Sequence, residues 1–321
     1  IRDRSNTISN SYLAIKNPYL LALRHKQWTK NLIVFAAPLF SFKLDSISLL
    51  SALLTFGLFC ATSSSFYLIN DLVDVEADRQ HPVKRHRPIA SGLVPVSVAM
   101  AMAIVLLLGA LAIGFWRSPL LGLILFLYAL LQVAYNFRLK RIIILDICAI
   151  AAGFILRAIA GGVATNTYLS PWFLLCTAML ALFLGVEKRK AEIRLLANYG
   201  GSSRAVLRRY SLPLLHRIEN VVSTASVMSY ALWSFGPQVK GASTSWMLLT
   251  FPFVLYGIFR YQLLSDLDEI GRRKEKGNIN HEKTERPEEI LLTDLPLLIN
   301  LISWIVTISI ILFLKNKGLI N

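Results

Sequence analysis

Long apolar segments alternate with short polar segments along almost the whole chain. A helix needs about 20 mostly apolar residues to cross a membrane, and nine segments are close to that length. They lie at about 20–42, 47–69, 95–115, 119–137, 142–162, 170–187, 213–235, 245–264 and 295–314. The pattern predicts an all-α, polytopic membrane protein with about nine transmembrane helices. A polar N-terminal segment (1–17) precedes a single transmembrane domain (18–321).

The composition indicates the same class of protein. Of the 321 residues, 55% are hydrophobic and only 17% are charged, which is too apolar for a soluble domain of this length. Cys60, Cys148 and Cys176 all lie inside apolar segments, so we interpret them as small core residues rather than as a disulfide or zinc set. The first 17 residues contain no apolar signal-peptide core, and the first spanning helix is therefore expected to act as the targeting signal.

Positive charges are divided unequally between the two ends of the predicted helices. The net charge is +15. About 26 Lys and Arg residues lie in the N-terminal part or in the loops after the second, fourth, sixth and eighth helices, and about five lie on the opposite side. Because cytoplasmic loops carry the excess of Lys and Arg, we expect these regions on the cytoplasmic side of a plasma or inner membrane. The charge then indicates anionic membrane lipid and anionic substrates as partners and argues against nucleic acid.

A cluster of oxygen-bearing side chains directly follows the second apolar segment. Asn70, Asp74 and Asp78 are spaced at i, i+4 and i+8, and Asp71 lies three residues before Asp74, so a continuing helix would present all four on one face. Crowded carboxylates repel one another unless a cation lies between them. Hard oxygen ligands suit Mg²⁺ that carries a phosphate-bearing substrate. We therefore predict that these four residues bind Mg²⁺; the alternative is a polar helix end before a solvated loop.

Basic and polar side chains at the same predicted membrane face are candidates for binding phosphate groups. Lys84 and Arg87 closely follow the acidic cluster. The other candidates are Lys30, Asn31, Tyr135, Lys140, Asp146, Lys188 and Arg189. For most of them an interfacial or topology-determining anchor is the alternative. Lys30 is preferred to Arg24 in the first segment because it lies deeper.

Arg157 lies in the middle of the fifth apolar segment. An arginine at this depth needs a partner inside the helix bundle or a water-filled cavity, which makes it a candidate substrate-binding residue. Asp146 is three helical turns away, so a direct pair between these two residues is not assured by the sequence.

The acidic cluster and the residues after it resemble the first aspartate-rich motif of the UbiA-type intramembrane prenyltransferase superfamily. The resemblance rests on Asn70-Asp71-x-x-Asp74-x-x-x-Asp78 and on His81-Pro82-x-Lys84-x-x-Arg87-Pro88-Ile89-Ala90-Ser91-Gly92. It implies nine helices around a central cavity that opens to the cytoplasmic side. The superfamily has a second aspartate-rich motif after helix six, and this chain departs from it there, with Glu187-Lys188-Arg189-Lys190-Ala191-Glu192.

That departure resembles the decaprenyl-phosphate phosphoribosyltransferase branch of the superfamily. Similar stretches are 26–31, Leu139-Lys140 with Asp146, 153–161 and 287–294, and the resemblance extends from about residue 18 to 314. It implies Mg²⁺-dependent transfer of 5-phosphoribose from 5-phosphoribosyl-1-diphosphate (PRPP) to a polyprenyl phosphate in the synthesis of lipid-linked sugar precursors for the cell wall. Asp74, Asp78, Lys84 and Arg87 would be catalytic, and the remaining candidates would bind the substrates.

Two other functions stay open at this point. One is a prenyltransferase that uses a prenyl diphosphate and an aromatic or lipid acceptor, although the missing second aspartate motif argues against it. The other is a lipid or anion transporter, in which Arg157 would bind the cargo. Neither the polyprenyl chain length nor the oligomeric state follows from the sequence, with a homo-oligomer among the options.

Overall fold

The computed structural model describes residues 17–43, 45–80, 84–199, 207–235, 242–274 and 293–320, without the side chains of 195–199, 208 and 267–274. These residues form helices and turns only. The α-helices are α1 (Pro18–Ala22), α2 (Ala36–Phe40), α3 (Ser46–Val73), α4 (Val75–Gln80), α5 (Val96–Arg117), α6 (Pro119–Phe137), α7 (Leu145–Ala164), α8 (Pro171–Tyr199), α9 (Leu212–Phe235), α10 (Phe251–Lys274) and α11 (Leu295–Asn316). Short 3-10 helices span His25–Phe35, Lys84–His86, Leu139–Arg141, Leu207–Arg209 and Ser245–Thr250.

Within this part of the chain, seven helical segments are long and apolar enough to cross a membrane. The all-α, polytopic class is therefore confirmed, and the protein is an integral membrane protein. The predicted N-terminal segment, apart from Asn17, and the similar stretch before the last helix, apart from Thr293 and Asp294, lie outside the described residues. The division into that segment and one domain stays a prediction.

The count of nine spanning helices is not confirmed, and two segments account for the difference. Segment 20–42 is interrupted, because Arg24 has a left-handed backbone (φ 52°) and a 3-10 helix follows it. The polar residues 25–31 leave little apolar surface in this part of the segment. Helix α9 is continuous, but it is not among the seven, since His216, Arg217 and Glu219 make its first half polar.

Close packing holds the interrupted first segment against the bundle. The 3-10 helix His25–Phe35 contacts both α3 and α7. At Gly161 of α7, an added Cβ would lie 2.1 Å from the carbonyl oxygen of Val34. Only glycine permits this approach, and the approach keeps the candidate residues of the first segment beside those of α7.

Candidate active site

The acidic cluster lies where α3 ends and α4 begins. The Asp74 N–H donates to the Asn70 carbonyl at 3.0 Å, and the Asp78 N–H donates to the Asp74 carbonyl at 2.8 Å, so helical spacing continues across the turn at Asp74. The four side chains nevertheless differ in environment. Asp71 and Asp78 are buried (4% and 3% exposed), whereas Asn70 is half-buried and Asp74 is exposed. The inward-facing carboxylates are therefore Asp71 and Asp78.

Two arginines neutralise these carboxylates. Arg87 Nη1 lies 3.1 Å from Asp71 Oδ1 and 2.7 Å from Asp78 Oδ2, so both carboxylates converge on one nitrogen. Arg24 Nη2 also binds Asp71 Oδ1, and its guanidinium lies 5.0 Å from the ring centre of Tyr67. The position of Arg87 agrees with its predicted place beside the cluster.

Sequence reasoning considered Arg24 and Lys30 together and preferred Lys30, whereas the structure places Arg24 on Asp71. Lys30 Nζ donates to Gln27 Oε1 at 2.6 Å, and its side chain is half-buried. The break in the first segment brings Arg24 to Asp71, and a pattern read as one continuous helix could not show this. The polar run that begins at Arg24 was the available signal.

The donor set fits Mg²⁺ with two protein carboxylates. Magnesium is usually held by one or two carboxylates together with substrate phosphates rather than by a complete protein cage. Asp71 and Asp78 both contact Arg87 Nη1, so the two carboxylates are close enough to share one cation. In the described part of the chain, no three His, Cys, Asp or Glu side chains are gathered for a metal. Asn70 and Asp74 as ligands remain predictions.

The basic run at the end of α8 is buried in ion pairs. The Arg189 side chain is fully buried, and its Nε donates to Asp146 Oδ2 at 2.7 Å. It also pairs with Glu192, and Nη2 donates to the Tyr135 hydroxyl at 3.3 Å. Arg189 thus contacts two other predicted residues, Tyr135 and Asp146.

Lys190 is paired in a similar way. Its Nζ lies 2.8 Å from Glu187 Oε1 and 2.5 Å from Glu219 Oε2. Ser265 and Gln262 of α10 donate to the same two carboxylates at 2.5 and 3.0 Å. Since each buried cation lies between two carboxylates, this run is less positive toward a ligand than its sequence suggests. Lys188, which lies in sequence between Glu187 and Arg189, is half-buried.

Tyr210 is a residue that sequence reasoning missed. Its hydroxyl donates to Asp146 Oδ1 at 2.7 Å and accepts from the Ile144 N–H at 2.7 Å. Burial raises the pKa of Tyr210, and the Asp146 carboxylate raises it further, so the phenol stays protonated at neutral pH. No sequence signal distinguishes this tyrosine from the others, because its partners lie more than 60 residues away.

Arg157 has polar partners other than Asp146. Its Nε donates to Asn31 Oδ1 and its Nη2 donates to the Tyr128 hydroxyl, both at 2.6 Å. The guanidinium also lies 4.7 Å from the ring centre of Tyr128 and 5.4 Å from that of Phe154. Among the described residues, no carboxylate forms an ion pair with this buried cation. The fold therefore brings Asn31 and Arg157 together.

Lys84 and Lys140 complete the predicted set. Lys84 is exposed in the 3-10 helix that follows the acidic cluster. Lys140 is half-buried in the 3-10 helix between α6 and α7, five residues after Tyr135. Both lie in short connections at the helix ends that carry the ion pairs.

The chain is similar to proteins of known family. A sequence profile of the UbiA prenyltransferase family matches residues 32–280. The decaprenyl-phosphate phosphoribosyltransferase of Mycolicibacterium smegmatis is 40% identical over 301 residues, which cover 90% of each chain. A protein of the same name from Corynebacterium glutamicum is 36% identical over 301 residues, covering 91% of this chain and 86% of that protein. A UbiA homolog from Archaeoglobus fulgidus, solved with GPP and Mg²⁺, has a TM-score of 0.67 at 19% identity and covers 91% of this chain and 98% of its own.

Proposed function

The chain belongs to the UbiA prenyltransferase family, and we propose that it is a phosphoribosyltransferase that joins PRPP to a polyprenyl phosphate, with decaprenyl phosphate as the expected acceptor. The observation that carries this proposal is the similarity to proteins named decaprenyl-phosphate phosphoribosyltransferase, which extends over about nine tenths of the chain. The ion-paired cations at the end of α8, where the superfamily has its second aspartate motif, support it.

The proposed reaction is a substitution at the anomeric carbon of ribose. A phosphate oxygen of the lipid forms a bond to C1, the bond from C1 to the pyrophosphate oxygen breaks, and pyrophosphate leaves with the electron pair. The products are polyprenylphosphoryl-5-phosphoribose and pyrophosphate. The attacking phosphate is already anionic, so no general base is needed. The site must instead stabilise the negative charge that develops on the leaving group.

Asp71 and Asp78 are the residues best placed to hold Mg²⁺, with the predicted ligands Asn70 and Asp74 beside them. A bound Mg²⁺ would act as a Lewis acid for the pyrophosphate. Arg87 contacts both buried carboxylates and could bind the same pyrophosphate oxygens through its remaining N–H groups. Lys84 is exposed nearby and is proposed to assist.

The network around Arg189 has a different proposed role. Arg189 is fully buried between Asp146 and Glu192, so we assign Asp146 and Arg189 to positioning rather than to direct substrate contact. Tyr135, whose hydroxyl accepts from Arg189, and Lys140 in the adjacent connection are proposed to bind the ribose 5-phosphate or the lipid phosphate. Lys188 is the remaining candidate from the basic run.

Asn31 and Arg157 are proposed to face the substrate from the membrane-embedded side. Arg157 has an amide oxygen and a phenol oxygen as acceptors, and within the described chain it has no carboxylate partner. A cation at this depth is stabilised by an anionic ligand. The geometry thus supports the predicted role of Arg157 in substrate binding, with Asn31 orienting it.

The unequal distribution of Lys and Arg supports a cytoplasmic N-terminus and a cytoplasmic entrance to the site. The water-soluble PRPP would then enter from the cytoplasm, while the polyprenyl tail stays in the bilayer. Exposed apolar side chains on α5 and α11 provide the lipid-facing surface for such an arrangement. Contact with anionic lipid headgroups and assembly into a homo-oligomer remain predictions.

A paired assay tests the function. Purified protein with Mg²⁺ receives either labelled PRPP and polyprenyl phosphates of several lengths, or a prenyl diphosphate with aromatic and lipid acceptors. We expect a ribosylated lipid from the first pair only, and Asp78→Asn should abolish it without loss of folded protein. Prenyl transfer from the second pair, with no product from PRPP, would overturn the proposal in favour of a prenyltransferase. Movement of lipid or anion across vesicle membranes without any product would indicate a transporter.

A further inference from the structure

Tyr210 connects three parts of the chain that are distant in sequence. It follows the 3-10 helix Leu207–Arg209 and precedes α9, and its ring is buried (6% exposed) in a core that includes Ile147 and Phe183. Its hydroxyl lies at the start of α7, where it contacts the Ile144 backbone and the Asp146 side chain. The ring of Tyr210 therefore packs in the core, whereas its hydroxyl forms hydrogen bonds at the start of α7.

The backbone at Ile144 is strained. Its φ and ψ angles are 70° and −47°, in a region that β-branched residues rarely adopt. The side chain of Ile144 is 52% exposed, so its own packing does not hold this conformation. The Ile144 N–H donates to the Tyr210 hydroxyl, and the Ile144 carbonyl accepts from the N–H groups of Ile147 and Cys148 in the first turn of α7, so Tyr210 holds this residue from its N-terminal side. A strained backbone persists only where surrounding contacts determine it.

The same hydroxyl fixes Asp146. This carboxylate is completely buried, and its two oxygens are used separately, Oδ1 by Tyr210 and Oδ2 by Arg189. Arg189 in turn donates to the Tyr135 hydroxyl at the end of α6. Tyr210 thus contacts one end of the connection 138–144 between α6 and α7, which carries Lys140, and it is linked through Asp146 and Arg189 to Tyr135 near the other end.

We propose that Tyr210 is a positioning residue for substrate phosphate binding. Its hydroxyl holds the strained turn at Ile144 and the Asp146–Arg189 pair, and it thereby sets Tyr135 and Lys140 toward one phosphate group of the substrates. This inference rests on the proposed function, because it assigns a substrate-facing role to Tyr135 and Lys140. It also has a structural part, the fixed turn, that can be measured without any substrate.

The first test is Tyr210→Phe, which keeps the buried ring and removes only the hydroxyl. Loss of a hydrogen bond to a charged group corresponds to about a tenfold effect. We expect the KM for one of the two substrates, either PRPP or the polyprenyl phosphate, to rise about tenfold. The kcat should change less than about threefold. The matched control is Tyr230→Phe, which removes a buried hydroxyl bonded to Thr250 and Trp304 in a separate core cluster. The control should leave both KM values unchanged.

The second test is rescue by Ile144→Gly. Glycine adopts positive φ without strain, so the turn should depend less on Tyr210 in this background. We expect Tyr210→Phe to raise KM clearly less when residue 144 is glycine than when it is isoleucine. Equal effects in both backgrounds, or an unchanged KM for folded Tyr210→Phe, would overturn the positioning role.

Hydrogen exchange of the substrate-free protein separates this inference from the proposed function. Tyr210→Phe should speed exchange of the amides in 139–146, and Tyr230→Phe should not. If wild-type protein makes no ribosylated lipid but exchange increases as expected, the function is wrong and the turn assignment stands. If activity is present but exchange and KM do not change, the inference itself is wrong.

Discussion

Replacing Arg24 tests directly whether the arginines that neutralise Asp71 compete with Mg²⁺ for its carboxylate. In this structure Arg24 and Arg87 both bind Asp71, and Arg87 also binds Asp78. If Asp71 and Asp78 are the metal ligands, these guanidinium groups compete with Mg²⁺ for the same oxygens. Replacing Arg24 by Met removes one competing cation and keeps most of the apolar stem. We therefore expect Arg24→Met to bind Mg²⁺ more tightly in the absence of substrate.

The size of the effect follows from burial. An exposed pair contributes about 0.2–1 kcal/mol, whereas removing one partner of a fully buried pair costs about 3–5 kcal/mol. Arg24 is 32% exposed and Asp71 is 4% exposed, and Arg87 remains on Asp71, so we expect about 1–2 kcal/mol. If binding of the cation recovers that energy, Mg²⁺ affinity should increase about 5- to 30-fold.

The assay is a thermal-shift titration of the substrate-free protein with Mg²⁺, repeated with Mn²⁺. The control is Arg79→Met, because Arg79 is a nearby exposed cation that pairs with Glu76 and not with Asp71 or Asp78. Arg79→Met should change the affinity by less than about twofold, in line with an exposed pair. Unchanged or weaker Mg²⁺ binding in Arg24→Met would refute the assignment of Asp71 as a ligand that Arg24 shields.

Three further predictions concern folding. Arg189→Met should lower the free energy of unfolding by about 3–5 kcal/mol, because it leaves the buried Asp146 carboxylate without its cation, and thermal unfolding measures this; a stable variant would contradict the buried pair. Gly161→Ala should reduce folded yield and Tm, since the new Cβ would clash with the backbone, whereas Gly109→Ala, which meets nothing within 4 Å, should not; equal behaviour of the two variants would contradict the close approach. The Arg260 guanidinium and the Leu297 backbone N–H lower the pKa of Asp294, so the stabilisation that Asp294 contributes is present above its ordinary pKa and is lost as pH falls through the lowered value. The Tm of the wild-type protein should therefore fall at acid pH, and Asp294→Asn should reduce this fall. Identical profiles of Tm against pH for the two proteins would contradict the linkage.

The sequence predicted the helices better than it predicted their partners. Apolar runs located every long helix in the described part of the chain, because lipid-facing and core-facing residues are both apolar over the length of a span. Helical spacing also predicted that the acidic cluster continues beyond α3. Spacing alone did not show that Asp71 and Asp78 face inward while Asp74 is exposed, since that depends on how the turn at Asp74 is oriented against the bundle.

The basic run in the C-terminal half of α8 shows a second limit. From local sequence, Arg189 and Lys190 indicate a cationic site. Their carboxylate partners Asp146 and Glu219 lie 43 and 29 residues away along the chain, and only the fold brings them together. The same holds for Arg157, whose partner Asn31 is 126 residues distant. Arg189 and Lys190 each also pair with a carboxylate three residues away, Glu192 and Glu187, but the second partner of each cation comes from tertiary contacts that local patterns do not contain.

The proposed phosphoribosyl transfer is tested most directly by the composition of the lipid product. Purified protein, Mg²⁺, PRPP labelled in the ribose and decaprenyl phosphate are incubated, and lipid and aqueous products are measured by mass spectrometry. We predict a lipid that carries labelled 5-phosphoribose on its own single phosphate, with one pyrophosphate released per lipid formed. A lipid without the labelled ribose, or pyrophosphate released without a ribosylated lipid, would contradict phosphoribosyl transfer.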